Sequence, residues 1–274
     1  YYALFWEGMP DLNFDNPEVR AEVLDISKFW LNLGVDGLRL DATSHIYGTG
    51  ETSQFQNIDK SADFWKEYYD KIKAEFPASY IIGEAWENYQ NRAKLLKGLD
   101  SALNFDIGEK LFSSIKNKVE GSEFVTTLSK LYATYNDIRK PNIDAPFLTN
   151  HDQSRAFSMS NYKENRARIA MQVLLTLPGN PFIYYGEEIG MAGAKPDEEL
   201  RTPMLWGEDS LQTSWRSSKY NANTRPVDEQ EKDEKEDGKK PKDSQDSKNE
   251  QNSKTQEDKP ETKQEQNQEE KPNV

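Results

Sequence analysis

Gly34-Val35-Asp36-Gly37-Leu38-Arg39-Leu40-Asp41 is the stretch on which the fold turns. Upstream of it, Asn16 followed by Pro17 and Glu18 is a helix-start signature. Val19, Val23, Ile26, Trp30 and Leu33 then recur at steps of four and three, which predicts an amphipathic helix running up to Gly34. Gly34 stops that helix, Val35 to Leu40 reads as a short buried strand, and Asp41 stands just past its end. A helix feeding a strand in this way is one step of an α/β chain.

The step repeats outward from there. Phe64, Trp65, Tyr68 and Ile72 mark a second helix, Pro77 closes it, and Tyr80-Ile81-Ile82 is the next strand, leading to Glu84. A helix with Leu95 and Leu96 precedes a weaker strand, Ala102 to Phe105. Ile107, Leu111, Ile115 and Val119 then share a helical face, and a further helical stretch lies around Leu128 to Ile138. Pro146-Phe147-Leu148 leads to His151 and Asp152, Ile169 to Leu177 reads as a buried helix, and Pro181 to Tyr185 as a strand ending at Gly186-Glu187-Glu188. Strands alternating with helices predict a parallel sheet, either open and doubly wound or closed into a barrel. Five strands are legible where a closed barrel takes eight, so about three are expected to be missing from the front. No Gly-x-Gly-x-x-Gly or Walker-type loop is present to favour a nucleotide fold.

Composition narrows the function classes. Of 274 residues, those from Pro226 to Val274 include Val227 and Val274 but no Leu, Ile, Met, Phe, Tyr or Trp, and such a stretch cannot bury enough surface to offset its ordering entropy. Residues 1–225 are therefore expected to fold, and 226–274 to form a disordered, charged tail or linker. The net charge of −13 and the missing basic patches speak against nucleic acid as a partner. No apolar run approaches membrane-spanning length, and cysteine is absent, which removes disulfides and thiolate metal sites. The chain opens on Tyr1 and reads as a piece of something longer.

Three carboxylates, Asp41, Glu84 and Asp152, each follow a strand-like run, which gathers them at one end of a parallel sheet. Cleaving a glycosidic bond with retention takes an attacking carboxylate and a protonated carboxylic acid roughly 5 to 5.5 Å apart, a spacing that neighbouring strand ends can meet. Arg39, two residues before Asp41 on the same strand face, would complement its charge and orient it, making Asp41 the nucleophile candidate. Glu84, flanked by Gly83, Ala85 and Trp86, has the small, apolar setting of a general acid. Asp152 is the candidate for stabilising the positively charged transition state. Trp86, beside the acid, is equally a core residue and a platform for a sugar ring, whereas Tyr184 reads as core, and Glu187 and Glu188 as caps of the following turn.

Met9-Pro10-Asp11-Leu12-Asn13, Gly37-Leu38-Arg39-Leu40-Asp41-Ala42, Gly83-Glu84-Ala85-Trp86, Phe147-Leu148-Thr149-Asn150-His151-Asp152 and Gly179-Asn180-Pro181-Phe182-Ile183-Tyr184-Tyr185-Gly186-Glu187-Glu188 resemble, in order, the signature regions of the α-amylase family, glycoside hydrolase family 13. The resemblance runs from about Tyr1 to Asn223. It implies a partial TIM (β/α)8 barrel, strands 4 to 8 with their helices. It also implies a retaining hydrolase of α-1,4-glucosidic bonds in starch-like α-glucans, with Asp41 as nucleophile, Glu84 as acid/base and Asp152 as stabiliser. Arg39 and His151 would line the subsite of the glucose being cleaved, and His45 the leaving-group side. Cyclomaltodextrinase, neopullulanase or oligo-1,6-glucosidase specificity is the alternative, and a non-catalytic glucan-binding or structural fragment is the alternative of another class. The chemistry needs no cofactor, and the resemblance allows a structural calcium in a full-length parent. Starch-like polymers as substrate point to an extracellular or cell-surface location. The family's Asp-x-x-x-Asn-His motif has no counterpart here, and Ser44 stands where many α-amylases have Lys before the histidine.

Overall fold

A computed structural model describes residues 1–48, 56–117, 121–207, 211, 213, 216 and 218–237. The chain divides into two units, residues 1–230 and residues 231–274. In the first, α1 (Pro17–Asn32) leads to β1 (Gly37–Leu40), α2 (Ile58–Glu75) to β2 (Tyr80–Gly83), and α3 (Tyr89–Leu95) to β3 (Ser101–Asn104). Then come α4 (Phe105–Asn117), α5 (Ser122–Ile138), β4 (Ala145–Pro146), α6 (Ala156–Met159), α7 (Glu164–Thr176) and α8 (Asp197–Leu200). The last helix, α9 (Val227–Asp237), spans the boundary between units.

The strands form one parallel sheet in sequential order, β1-β2-β3-β4. Gly37 pairs with Tyr80 and Leu40 with Gly83, so β1 and β2 end level. Because side chains alternate along a strand, one face of the sheet carries Arg39, Ile82, Leu103 and Phe147, and the other turns Ile81 toward the helices. That outer core joins Ile81 and Leu99 to Trp65, Tyr68 and Ile72 of α2 and to Leu131 and Tyr135 of α5. A second cluster packs Ile107, Leu111 and Phe112 of α4 against Leu148 and against Ala170 and Leu174 of α7. Gly108 permits the contact, since a Cβ there would lie 1.8 Å from the Leu148 carbonyl oxygen.

The structure departs from the sequence expectations in four places. The run Pro181 to Tyr185 is not a strand of its own: it contributes a single parallel bridge, Phe147 to Phe182, with Phe182, Ile183 and Tyr185 exposed. The α1 stripe packs inward only in part: Val23 lies against the outer core, but Ile26, Trp30 and Leu33 are exposed while Ser27 and Leu31 are buried. The reason is that β1 has only β2 beside it among the described residues, leaving that side of α1 without a neighbour. In α7 only Ala170 and Leu174 are buried, and Ile169 and Leu175 face solvent. Finally, the tail expected to be disordered from residue 226 is helical over Val227–Asp237. Residues 238–274, and Val119 of the predicted fourth helical face, lie outside the described residues.

Candidate active site

The level ends of β1 and β2 place Asp41 and Glu84 side by side. The ladder continues past the strands: the Glu84 N–H donates to the Leu40 carbonyl at 2.8 Å, and the Thr43 N–H and hydroxyl donate to the Glu84 carbonyl at 2.8 and 2.7 Å. The Asp41 carboxylate is near enough to raise the proton affinity of Glu84. Arg39 touches both, forming an ion pair with Asp41 and setting Nη2 2.9 Å from Oε1 of Glu84. That second contact is not aligned as a hydrogen bond, so Oε1 of Glu84 is buried without one.

The two acids sit in unlike surroundings. Glu84 is 12% exposed and Asp41 73%. Burial pushes the Glu84 carboxyl above the usual carboxylate range; Arg39 opposes this, the neighbouring Asp41 adds to it, and the Ala42 N–H opposes it. Ala42 holds a left-handed φ of 45°, an arrangement costly for a residue with a Cβ and typical of functional sites.

Beyond β4, Asn150, His151 and Asp152 form a turn in which the Asp152 N–H donates to the Asn150 side chain at 2.9 Å. His151 Nε2 lies 3.2 Å from Asp152. Arg201, which sequence reasoning missed, donates to the Asp152 carboxylate at 2.7 Å and to the His151 carbonyl at 3.1 Å, and also meets Asp197 at 3.1 Å. Nothing local marks Arg201, which lies 49 positions beyond its partner. A cavity of about 200 Å³ is lined by Arg39, Leu103, Phe147, Thr149, His151 and Tyr184 among others. It thus brings Arg39 and His151 to one space, while Asp41, Glu84 and Asp152 are not among its walls. Tyr184, read as core, is a partly buried wall whose hydroxyl donates to the Leu200 carbonyl at 3.0 Å.

Trp86 is exposed and stacks flat on Phe105, with ring centroids 4.7 Å apart. His45 is partly buried, packed edge-on against Phe5, and its Nδ1 lies 2.6 Å from the Gln56 side-chain oxygen. Burial lowers its pKa, against the opposing pull of Glu87, Asp11 and Asp41. Sequence reasoning also missed a buried polar network: Arg92, fully buried, meets Tyr135, Asn104 and Asp106 and donates to the Glu87 carbonyl at 3.0 Å. Asn104 in turn donates to the buried Asp144 at 2.9 Å. Among the described residues no three His, Asp or Glu side chains are grouped as they would be around a metal ion.

A parallel α/β sheet with paired acids at the ends of adjacent strands is the arrangement of barrel glycosidases. Comparison with known proteins carries the assignment further. The family description "Alpha amylase, catalytic domain" matches residues 1–270. Alpha-amylase 3 of Dictyoglomus thermophilum is 44% identical over 240 residues, covering 85% of this chain and 46% of the relative. Neopullulanase 2 of Thermoactinomyces vulgaris is 30% identical over 210 residues, covering 76% of this chain and 33% of the relative. The crystal structure of an alpha-amylase from H. orenii superposes with a TM-score of 0.74 at 40% identity, covering 83% of this chain and 46% of that one. This chain belongs to the α-amylase family, glycoside hydrolase family 13, and its fold is that of the family's TIM-barrel catalytic domain. It spans a third to a half of the length of these relatives.

Proposed function

We propose that the protein is a retaining glycoside hydrolase acting on α-1,4-glucosidic bonds of starch-like α-glucans. The observation that carries this reading is the pairing, on level strand ends, of Asp41 with a largely buried Glu84 whose proton is held more tightly by burial. Asp41 attacks the anomeric carbon while Glu84 gives its proton to the leaving oxygen, forming a glycosyl ester on Asp41 and a free sugar hydroxyl. In the ester Asp41 has lost its charge, which removes one influence that raises Glu84. Glu84 is then the better base for taking a proton from the water that releases the second product. Arg39 orients Asp41, Asp152 stabilises the oxocarbenium-like transition state, and the Trp86 platform offers a face for a sugar ring. His151 and Arg39 line the cleaved-glucose side, and His45 the leaving-group side. A polymeric substrate that cannot cross a membrane argues for an extracellular or cell-surface setting.

The likeness to a neopullulanase and to a cyclomaltodextrinase makes pullulan and cyclic maltodextrins the neighbouring substrates. Incubation with amylose and pullulan tests both readings. Products of retained anomeric configuration are expected from amylose. Asp41→Asn is expected to lower kcat by ~10³-fold or more, and Glu84→Gln to recover much of its loss on α-glucosyl fluoride, whose leaving group needs no proton. Inverted products, or no action on any α-glucan, defeat the proposal.

A second reading, of a different class, takes the chain as a glucan-binding body without turnover. The 73% exposure of Asp41 favours it, since an attacking carboxylate is ordinarily shielded from water. Retardation of the protein in amylose-containing gels with no release of reducing ends would select it.

A further inference from the structure

Three side chains form a relay on the flank of β2. Gln56 lies between His45 and Glu87: its amide nitrogen donates to Oε1 of Glu87 at 2.6 Å, and its amide oxygen lies 2.6 Å from His45 Nδ1. Donor and acceptor roles fix the direction of the chain. An ionised carboxylate has only acceptors, so the Gln56 NH₂ must face Glu87 and its oxygen must face the histidine. An oxygen can only accept, so Nδ1 of His45 must carry a proton. The other neighbour of Nδ1, the Ser44 hydroxyl at 3.4 Å, is free to accept as well. In the neutral ring the second nitrogen, Nε2, is then left as a lone pair.

Every member is anchored. Gly48 bridges to Gln56, and the Asn57 N–H donates to the Tyr47 carbonyl at 2.8 Å, setting the backbone at Gln56. Oε2 of Glu87 accepts from Asn91 at 3.3 Å, and the Glu87 carbonyl accepts from Arg92, which ties the relay to the buried Asn104–Asp144 network. A free imidazole favours the opposite form, protonated on Nε2, so an anchored carboxylate–amide pair is a device for reversing that preference.

We propose that Glu87 and Gln56 are positioning residues that hold His45 as its Nδ1–H tautomer, so that Nε2 accepts a hydrogen bond from a hydroxyl of the bound α-glucan. The second half of the statement rests on the function proposed above; the first does not. The amide of Gln56 serves the relay because it donates to the carboxylate on one side and presents an acceptor to the imidazole on the other.

The chain has only two histidines, His45 and His151, so nitrogen NMR of the ring resonances assigns each by a single substitution. At about pH 8, above the ordinary imidazole value of about 6.5, wild-type His45 is expected to show a pyrrole-type Nδ1 and a pyridine-type Nε2. Gln56→Leu removes the acceptor and Glu87→Gln frees the amide to turn; both are expected to shift His45 toward the Nε2–H form. The same variants are expected to raise KM for maltooligosaccharides ~3- to 10-fold with kcat held within ~2-fold, and Glu87→Asp to restore the tautomer in part. A wild-type Nε2–H tautomer, or Nδ1–H persisting unchanged in both Gln56→Leu and Glu87→Gln, overturns the relay. The expected tautomers with unaltered KM overturn the link to sugar binding and leave the glycosidase reading intact; loss of all α-glucan cleavage in the wild type with the expected tautomers overturns that reading instead.

Discussion

Glu187 accepts a hydrogen bond from the Thr149 hydroxyl at 2.7 Å and from the Tyr184 N–H at 3.3 Å, joining the exit of β4 to the turn after Tyr185. Its bonds run back to Tyr184 and across to Thr149 rather than to the turn that follows, where the sequence reading places a cap. The residue is partly exposed, but its carboxylate points inward, and burial pushes its pKa up to about 7 against the pull of Thr149, Tyr184 and the nearby Arg155. A carboxyl whose pKa is raised by folding binds its proton more tightly in the native state. Its contribution is complete below the unfolded value of about 4.5 and is lost as pH rises through about 7. The loss is at most about 3 kcal/mol, less what solvent screens. Urea melts at intervals across that range are expected to show wild-type stability falling with pH, and Glu187→Gln flattening the slope. Equal slopes in the two proteins would remove Glu187 from the account. At this same scale the catalytic candidates were legible, because Arg39, Asp41 and Glu84 sit where a short apolar strand stops. Arg201, Gln56 and Arg92 were not, because each acts on a residue distant in sequence and stands in no pattern of its own.

At the scale of elements, hydrophobic period located the helices and the first strands, and failed where the neighbour decides the face. The α1 stripe of Ile26, Trp30 and Leu33 is as periodic as a buried one, yet burial falls on Ser27 and Leu31, with Ser27 accepting from the Tyr68 hydroxyl at 2.8 Å. Likewise the apolar run at Phe182 holds one bridge rather than a strand. Gly108 of α4 shows two element-level effects in competition. Alanine would favour the helix by about 1 kcal/mol, but its Cβ would meet the Leu148 carbonyl oxygen at 1.8 Å, a backbone atom that no rotamer change can move. Packing wins: Gly108→Ala is expected to lower the unfolding free energy by about 2 kcal/mol or more, read as a lower urea midpoint at unchanged m-value. An equal or raised midpoint would show that α4 is free to shift away from the sheet.

For the molecule as a whole, the parallel order and the barrel-family fold were readable because the helix-strand step recurs with one carboxylate after several strands. What no pattern in the chain announced was the amount of apolar surface left in solvent. Ile26, Phe29, Trp30 and Leu33 share one exposed face of α1, with Phe29 and Trp30 in edge contact at 5.3 Å. A contiguous apolar face of this kind drives association in water. Light scattering is therefore expected to report a mass that rises with concentration, and the triple change Ile26→Lys, Phe29→Glu, Leu33→Ser is expected to hold the protein at its monomer mass of 31.6 kDa. A wild type that stays monomeric at all concentrations would refute this.

Asp41, Glu84 and Asp152 are each delivered by a different strand, and the segment that follows each is free to change length without disturbing the pairing of the sheet beneath. Length can thus be added or removed beyond the strand ends while the spacing of the three carboxylates, fixed by the ladder beneath them, is inherited unchanged.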